Sequence, residues 1–121
     1  MKDFAAVQKR FMRDPLPNRL GGLAAGLARV SSTAINPANS QVVQVLLEEA
    51  RRFIEWTATE TKSDTASQLV DLQINLTLWL HVWPTATTNS FQRALLAHQA
   101  SEWSDKVLAM SGLIEEASVS A

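Results

Sequence analysis

Arg93, His98 and Glu102, in the stretch "RALLAHQASE", are the residues whose types and spacing come nearest to reaction chemistry. An arginine presents a planar fork of N–H donors that suits a phosphate. An imidazole moves protons near neutral pH. Together they suit phosphodiester chemistry. Metal chemistry is a poorer match. A carboxylate-bridged di-iron bundle draws Glu-x-x-His pairs from two helices, and neither His81 nor His98 has a glutamate three residues before it. His98 and Glu102 lie one helical turn apart, but two ligands do not close a site, so no metal and no cofactor is expected. The chain has no cysteine, which excludes disulfides, thiolate catalysis and sulfur-bound metal and fits a cytoplasmic location. None of its serines stands on a strand-to-helix elbow.

"RALLAH", Arg93 to His98, resembles the R-x4-H signature of HEPN-type helical-bundle ribonucleases. In that family the arginine and histidine act on the RNA phosphate and 2′-OH across a dimer. The resemblance covers six residues and the helical architecture, and it departs from the pattern at Ala94, where the family usually has a polar residue. Read from the residues alone, the segment is an amphipathic helix with Arg93 in solvent and a surface His98–Glu102 pair.

A second candidate site is "RLGGLAAGLAR", Arg19 to Arg29. Phosphate loops follow a strand and read G-x-x-x-x-G-K-[ST] or G-x-G-x-x-G. The spacing here is Gly22-x-x-x-Gly26, with no strand before it and no lysine after it. Leu16, Leu20, Leu23, Leu27 and Val30 step by 4, 3, 4 and 3, a register that belongs to a helix. Arg19, Gly22, Gly26 and Arg29 form a second stripe beside that seam. Each glycine costs about 1 kcal/mol against alanine inside a helix, and close packing of another backbone is the expected compensation. The arginines would then meet Glu48, Glu49 or Glu55 of the next helix, or the acidic groups of a partner chain.

The remaining elements also read as helix. Phe4, Val7 and Phe11 mark a short first helix. Asp14, with Pro15 in the first helical position, is expected to cap the second. Asn36 and Pro37 restart the chain, and Val43, Leu46, Leu47, Ala50, Phe53 and Ile54 face inward from a third helix reaching about Thr59. Ser63 or Asp64 is expected to cap a fourth, carrying Leu69, Leu72, Leu76, Trp79 and Trp83, with Pro84 as its stop. Asn89 or Ser90 opens a fifth, carrying Leu96, Ala100, Trp103, Val107 and Met110, with Gly112 at its end. No window shows the alternation of a sheet. The fold class expected is all-α: an antiparallel four-helix bundle with an additional short N-terminal helix, in one domain spanning 1–121, with 1–13 as that helix and 117–121 as a frayed tail.

Charge and apolar surface bear on partners. The net charge of −1 predicts no bulk nucleic-acid binding. Residues 1–35 carry a balance of +4 and the remainder −5, so the two parts are expected to touch. The longest apolar run, Leu20 to Ala28, is far short of the ~20 residues that span a bilayer. The first helix is basic and amphipathic, but its apolar face is too short for a firm hold on a membrane surface. From Leu76 to Trp83 the fourth helix is apolar nearly all round, broken by Thr77 and His81. A helix apolar on every side must be covered on every side. Leu78, Leu80 and Val82 therefore lack partners within one chain, which points to a homodimer on a self-associating face that carries Leu78, Trp79, Leu80 and Trp83. The rivals are a cover supplied by Phe4, Val7 and Phe11 of the same chain, and a pocket for a small apolar ligand walled by Trp79 and Trp83.

"PLPNRLGGLAAGLARVSS" together with "LLEEARRFIEWTA" resembles a group of small uncharacterised helical proteins of cyanobacteria. The resemblance implies a helical fold and brings no activity or site. The function expected from the sequence is non-enzymatic: an interaction or regulatory protein that works through protein–protein contact.

Overall fold

The structure, a computed structural model, describes residues 3–113. Their regular structure is wholly helical: α1 (Phe4–Met12), α2 (Leu16–Thr33), α3 (Ser40–Thr57), α4 (Ser63–Ala86) and α5 (Ser90–Ser111), with short 3-10 turns at Pro37–Asn39 and Ala58–Glu60. The expected frayed end, 117–121, lies outside the described residues.

Local chemistry accounts for most boundaries. The Asp3 carboxylate accepts the N–H groups of Ala5 and Ala6 and opens α1. Asn89 Oδ1 accepts the Gln92 N–H at 3.0 Å and opens α5. Gly112, at φ +78°, ends α5 in the left-handed conformation that a side chain would disfavour. Other boundaries differ from the sequence reading. The N-cap of α2 is Pro15 rather than Asp14, and no side chain caps it. The capping position of α4 falls on Lys62, so Ser63 and Asp64 lie inside the helix. Asn36 caps the 3-10 turn at Pro37–Asn39, and α3 begins only after it. Pro84 does not stop α4, which runs on to Ala86. A proline removes one N–H and crowds the carbonyl four residues back. So close to the helix end only one hydrogen bond is forfeited, and the Thr87 N–H still reaches the Trp83 carbonyl at 2.9 Å.

The expected seams form the core. Leu20, Leu23, Leu27 and Val30 of α2, Val43, Leu46, Leu47, Ala50 and Ile54 of α3, Leu69, Leu72, Leu76, Trp79 and Trp83 of α4, and Leu96, Ala100 and Val107 of α5 are all buried in one cluster. Leu16, Phe53, Trp103 and Met110 are half-buried against it. At ~25 cal/mol per Å² of apolar surface removed from water, this burial is the main favourable contribution to folding.

α5 packs most extensively on α2 and only sparsely on α4. Small residues make this possible: Gly21, Ala24 and Ser31 lie on one ridge of α2, and Ala97, Ala100 and Ser104 on the facing part of α5, with the exposed Ala28 and Ser101 lining a shallow groove beside them. Two hydroxyls tie the ridges together. Ser31 Oγ donates to the Ala97 carbonyl at 2.7 Å, and Ser104 Oγ donates to the Ala24 carbonyl at 2.8 Å. The pairs run in opposite order along the two helices, so α2 and α5 run in opposite directions. On α3 and α4 the same holds: the Trp83 indole N–H reaches the Ser40 carbonyl and Gln73 Nε2 the Arg51 carbonyl.

α1 lies against α3. Phe11 stacks on Phe53 with ring centroids 4.0 Å apart, Trp56 tilts against both rings, and the Arg52 guanidinium sits 4.1 Å above the Phe4 ring. Such aromatic pairs add about 0.5–1.5 kcal/mol beyond their area.

Two substitutions test this packing by reversible chemical denaturation. Ala100→Leu, in the fully buried α2/α5 contact, is expected to destabilise by about 1–3 kcal/mol through overpacking. Thr57 is buried with its hydroxyl lacking a hydrogen-bond partner. Thr57→Val is expected to raise stability by about 1 kcal/mol, because it replaces an unsatisfied polar group with a methyl of the same shape.

Candidate interaction surface

The face expected on α4 divides in two. Trp79 and Trp83 are 8% and 1% exposed and belong to the core, not to a surface. Their indole N–H groups are satisfied internally, Trp83 by the Ser40 carbonyl and Trp79 by Gln99 Oε1, each at 2.8 Å. Leu80 is half-buried against the core. Leu78 is 59% exposed, and Val70, Ile74 and Val82 share its ridge and are exposed with it. These four residues recur every fourth position, the spacing of one ridge on a helix surface. From Leu72 to Gln92 the chain has no Asp, Glu, Lys or Arg, so around Ile74, Leu78 and Val82 α4 itself contributes no acidic or basic residue, while Val70 stands next to Asp71. α1 does not cover it, because its aromatic contacts are all with α3.

The glycine stripe is placed differently from its expected role. A Cβ built on Gly22 or Gly26 meets nothing within 4 Å, so no neighbour within the described chain packs closely there. The close approach occurs on the other flank of the leucine seam, at Gly21, Ala24 and Ser31. At Gly21 a Cβ would come within 2.8 Å of Leu113 Cδ1.

Arg19 is 6% exposed and faces inward. Its acidic partner is Glu60, not Glu48, Glu49 or Glu55. Nη1 and Nη2 bind Glu60 Oε2 and Oε1 at 2.8 and 2.9 Å, a two-point pairing of guanidinium and carboxylate, while Nε donates to the Asp14 carbonyl at 3.1 Å and Nη1 also lies 3.4 Å from Met12 Sδ. One side chain thus joins the α1–α2 turn to the end of α3, and the basic first third of the chain meets the acidic remainder through it. The hydrogen bonds from Arg19 hold the Glu60 carboxyl below the usual carboxylate range, and the same pairing raises the Arg19 guanidinium. Arg29 is exposed and lines a surface groove with Gln41, Val42, Val45 and Leu46.

Arg93 and His98 have separate partners. Arg93 Nε donates to the Ile35 carbonyl at 2.9 Å and Nη1 to the Thr87 carbonyl at 2.8 Å, tying the α2–α3 connection to the end of α4. His98 is exposed and lies 3.0 Å from Glu102. Five positions on a helix turn a side chain by about 140°, so the two point to different faces. Among the described residues no three His, Asp or Glu side chains converge as a metal site would require, and no helix is long and apolar enough to cross a membrane.

One feature the sequence reading did not single out is a groove between α4 and α5. It encloses about 160 Å³ and is lined by Gln68, Asp71, Leu72, Asn75, Trp103, Lys106, Val107 and Met110. It exists because α5 is drawn towards α2. The signal was present as small residues on α5, but their meaning depends on which ridge of α2 they meet.

Comparison with known proteins finds no matching family model, no similar curated protein and no similar solved structure.

The Arg19–Glu60 pair makes stability depend on pH with a definite sign. The folded-state pKa of Glu60 is depressed, so its contribution is present above the unfolded carboxylate value and is lost as pH falls through the lowered folded value. Urea titrations at pH 7 and pH 3 are expected to show a smaller acid-induced loss for Glu60→Gln than for the wild type. For the open glycine, Gly22→Ala is expected to stabilise by about 0.5–1 kcal/mol, with no change in mass by sedimentation.

Proposed function

We propose that this is a non-enzymatic interaction protein that works through protein–protein contact, as a homodimer assembled on the outward face of α4. The observation that carries the reading is the exposed ridge of Val70, Ile74, Leu78 and Val82, the last three of which lie in a stretch without acidic or basic residues. Beside Ile74, Leu78 and Val82 a charged partner would find no complementary group within that stretch of α4. A second copy would find the same apolar ridge, and twofold pairing sets like on like without repulsion. Ridges formed by every fourth residue interdigitate with one another at a crossing near −50°, so the surface has the form needed to pack on itself.

The same reading takes α2 to α5 as an antiparallel four-helix bundle, with α1 as a buttress on α3, and places the chain in the cytoplasm. The resemblance to small helical proteins of cyanobacteria accords with this architecture and adds no site. Arg29 and the groove beside it remain available to an acidic protein partner, which fits a regulatory role for the assembled dimer.

Sedimentation equilibrium at tens of micromolar tests the proposal. Wild type is expected at twice the chain mass. Leu78→Glu is expected at the chain mass with an unchanged circular dichroism spectrum, because position 78 lies outside the core and two facing carboxylates would oppose pairing. A wild type that stays at the chain mass would overturn the proposal.

A further inference from the structure

The α4/α5 groove joins an apolar floor to two opposite charges. Leu72 and Asp71 come from α4, and Trp103, Lys106, Val107 and Met110 from α5, with Gln68 and Asn75 completing the lining. Its volume of about 160 Å³ is close to the ~150 Å³ of a cavity that accepts a benzene ring. Asp71 comes from α4 and Lys106 from α5, the two helices between which the groove lies. Neither side chain has a hydrogen-bond or ion-pair partner among the described residues, and they do not pair with each other. Asn75 Nδ2 is committed to the Asp71 main-chain carbonyl at 3.0 Å, which leaves the Asp71 carboxylate unengaged. Two unlike charges that do not pair with each other, in one groove with Trp103 and apolar side chains, match a molecule that carries both charges and a ring.

We propose that this groove binds a small zwitterion with an aromatic side chain, of the free aromatic amino acid class. The ring lies against Trp103, Leu72, Val107 and Met110. The ammonium group is held by Asp71, and the carboxylate by Lys106. A purely apolar ligand would leave both charges unused, and a singly charged one would leave either Asp71 or Lys106 unanswered. The groove shares no lining residue with the Val70, Ile74, Leu78 and Val82 ridge that it adjoins on α4, and the proposal does not rest on dimer formation.

The test uses the full chain and three probes: L-phenylalanine, phenethylamine, which lacks the carboxylate, and 3-phenylpropionate, which lacks the ammonium. Binding is read by calorimetry and by protein-observed NMR at the Trp103 indole. Phenylalanine is expected to bind saturably below about 10 mM, and each analogue about threefold to fivefold more weakly, the range expected for exposed charge pairs. In Lys106→Gln, phenylalanine should fall to the level of phenethylamine. In Asp71→Asn it should fall to the level of 3-phenylpropionate. Both positions are exposed, so the variants are expected to fold, and circular dichroism checks that they do. No saturable binding of phenylalanine, equal binding of all three probes, or wild-type affinity in both variants would overturn the proposal.

Discussion

Two serine hydroxyls, Ser31 on α2 and Ser104 on α5, each reach across to a main-chain carbonyl of the opposite helix. They can do so only because Gly21, Ala24, Ala97 and Ala100 leave the backbones free to approach. Each half-buried hydroxyl finds its partner in the carbonyl of the neighbouring helix, at 2.7–2.8 Å, a reach that small side chains at the contact permit. The rest of the arrangement follows from this closeness. With α5 drawn to α2, its contact with α4 is sparse, and Trp103 and Met110 only partly fill the space between them.

α4 is consequently held by α3 on one flank and loosely by α5 on the other. Its inner residues are secured by Trp83 on the Ser40 carbonyl and Trp79 on Gln99. Among the described residues its outer ridge stays exposed, and α1 is committed to Phe53 and Trp56 on α3. The aromatic stacking of α1 and the Arg19–Glu60 pair secure the opposite side of the molecule. The exposed ridge and the groove are thus consequences of the same packing choice.

Much of this was legible in the residues. The leucine and tryptophan seams at steps of 3 and 4 identified the core of every long helix, since burial must follow the helical period. The apolar surplus of α4 was equally plain, because no helix with Leu76, Leu78, Leu80 and Val82 around its circumference can hide all of them on one face. Which members of that surplus stayed outside was not legible: Trp79 and Trp83 were candidates for a surface and proved to be core. Large indoles bury more apolar area than a leucine or valine, and both found acceptors for their N–H groups inside.

The glycine stretch shows where the limit lies. The leucine seam of α2 is flanked on one side by Arg19, Gly22, Gly26 and Arg29 and on the other by Gly21, Ala24, Ala28 and Ser31, and both flanks are small enough for close contact. Composition and period establish a helix there and the need for a near neighbour. Only the position of α5, with its own alanines and serines, chooses the flank, because close packing is a property of two surfaces and one sequence segment carries only one of them. Arg19 follows the same logic. Its need for a carboxylate was written in its type, whereas Glu60, 41 residues away, became that carboxylate through the fold alone. Local spacing thus determined the helices, their inward faces and the excess of apolar surface. Tertiary structure decided the pairing of ridges, the partner of each charge and the opening between α4 and α5, because these depend on distances between segments that no single stretch encodes.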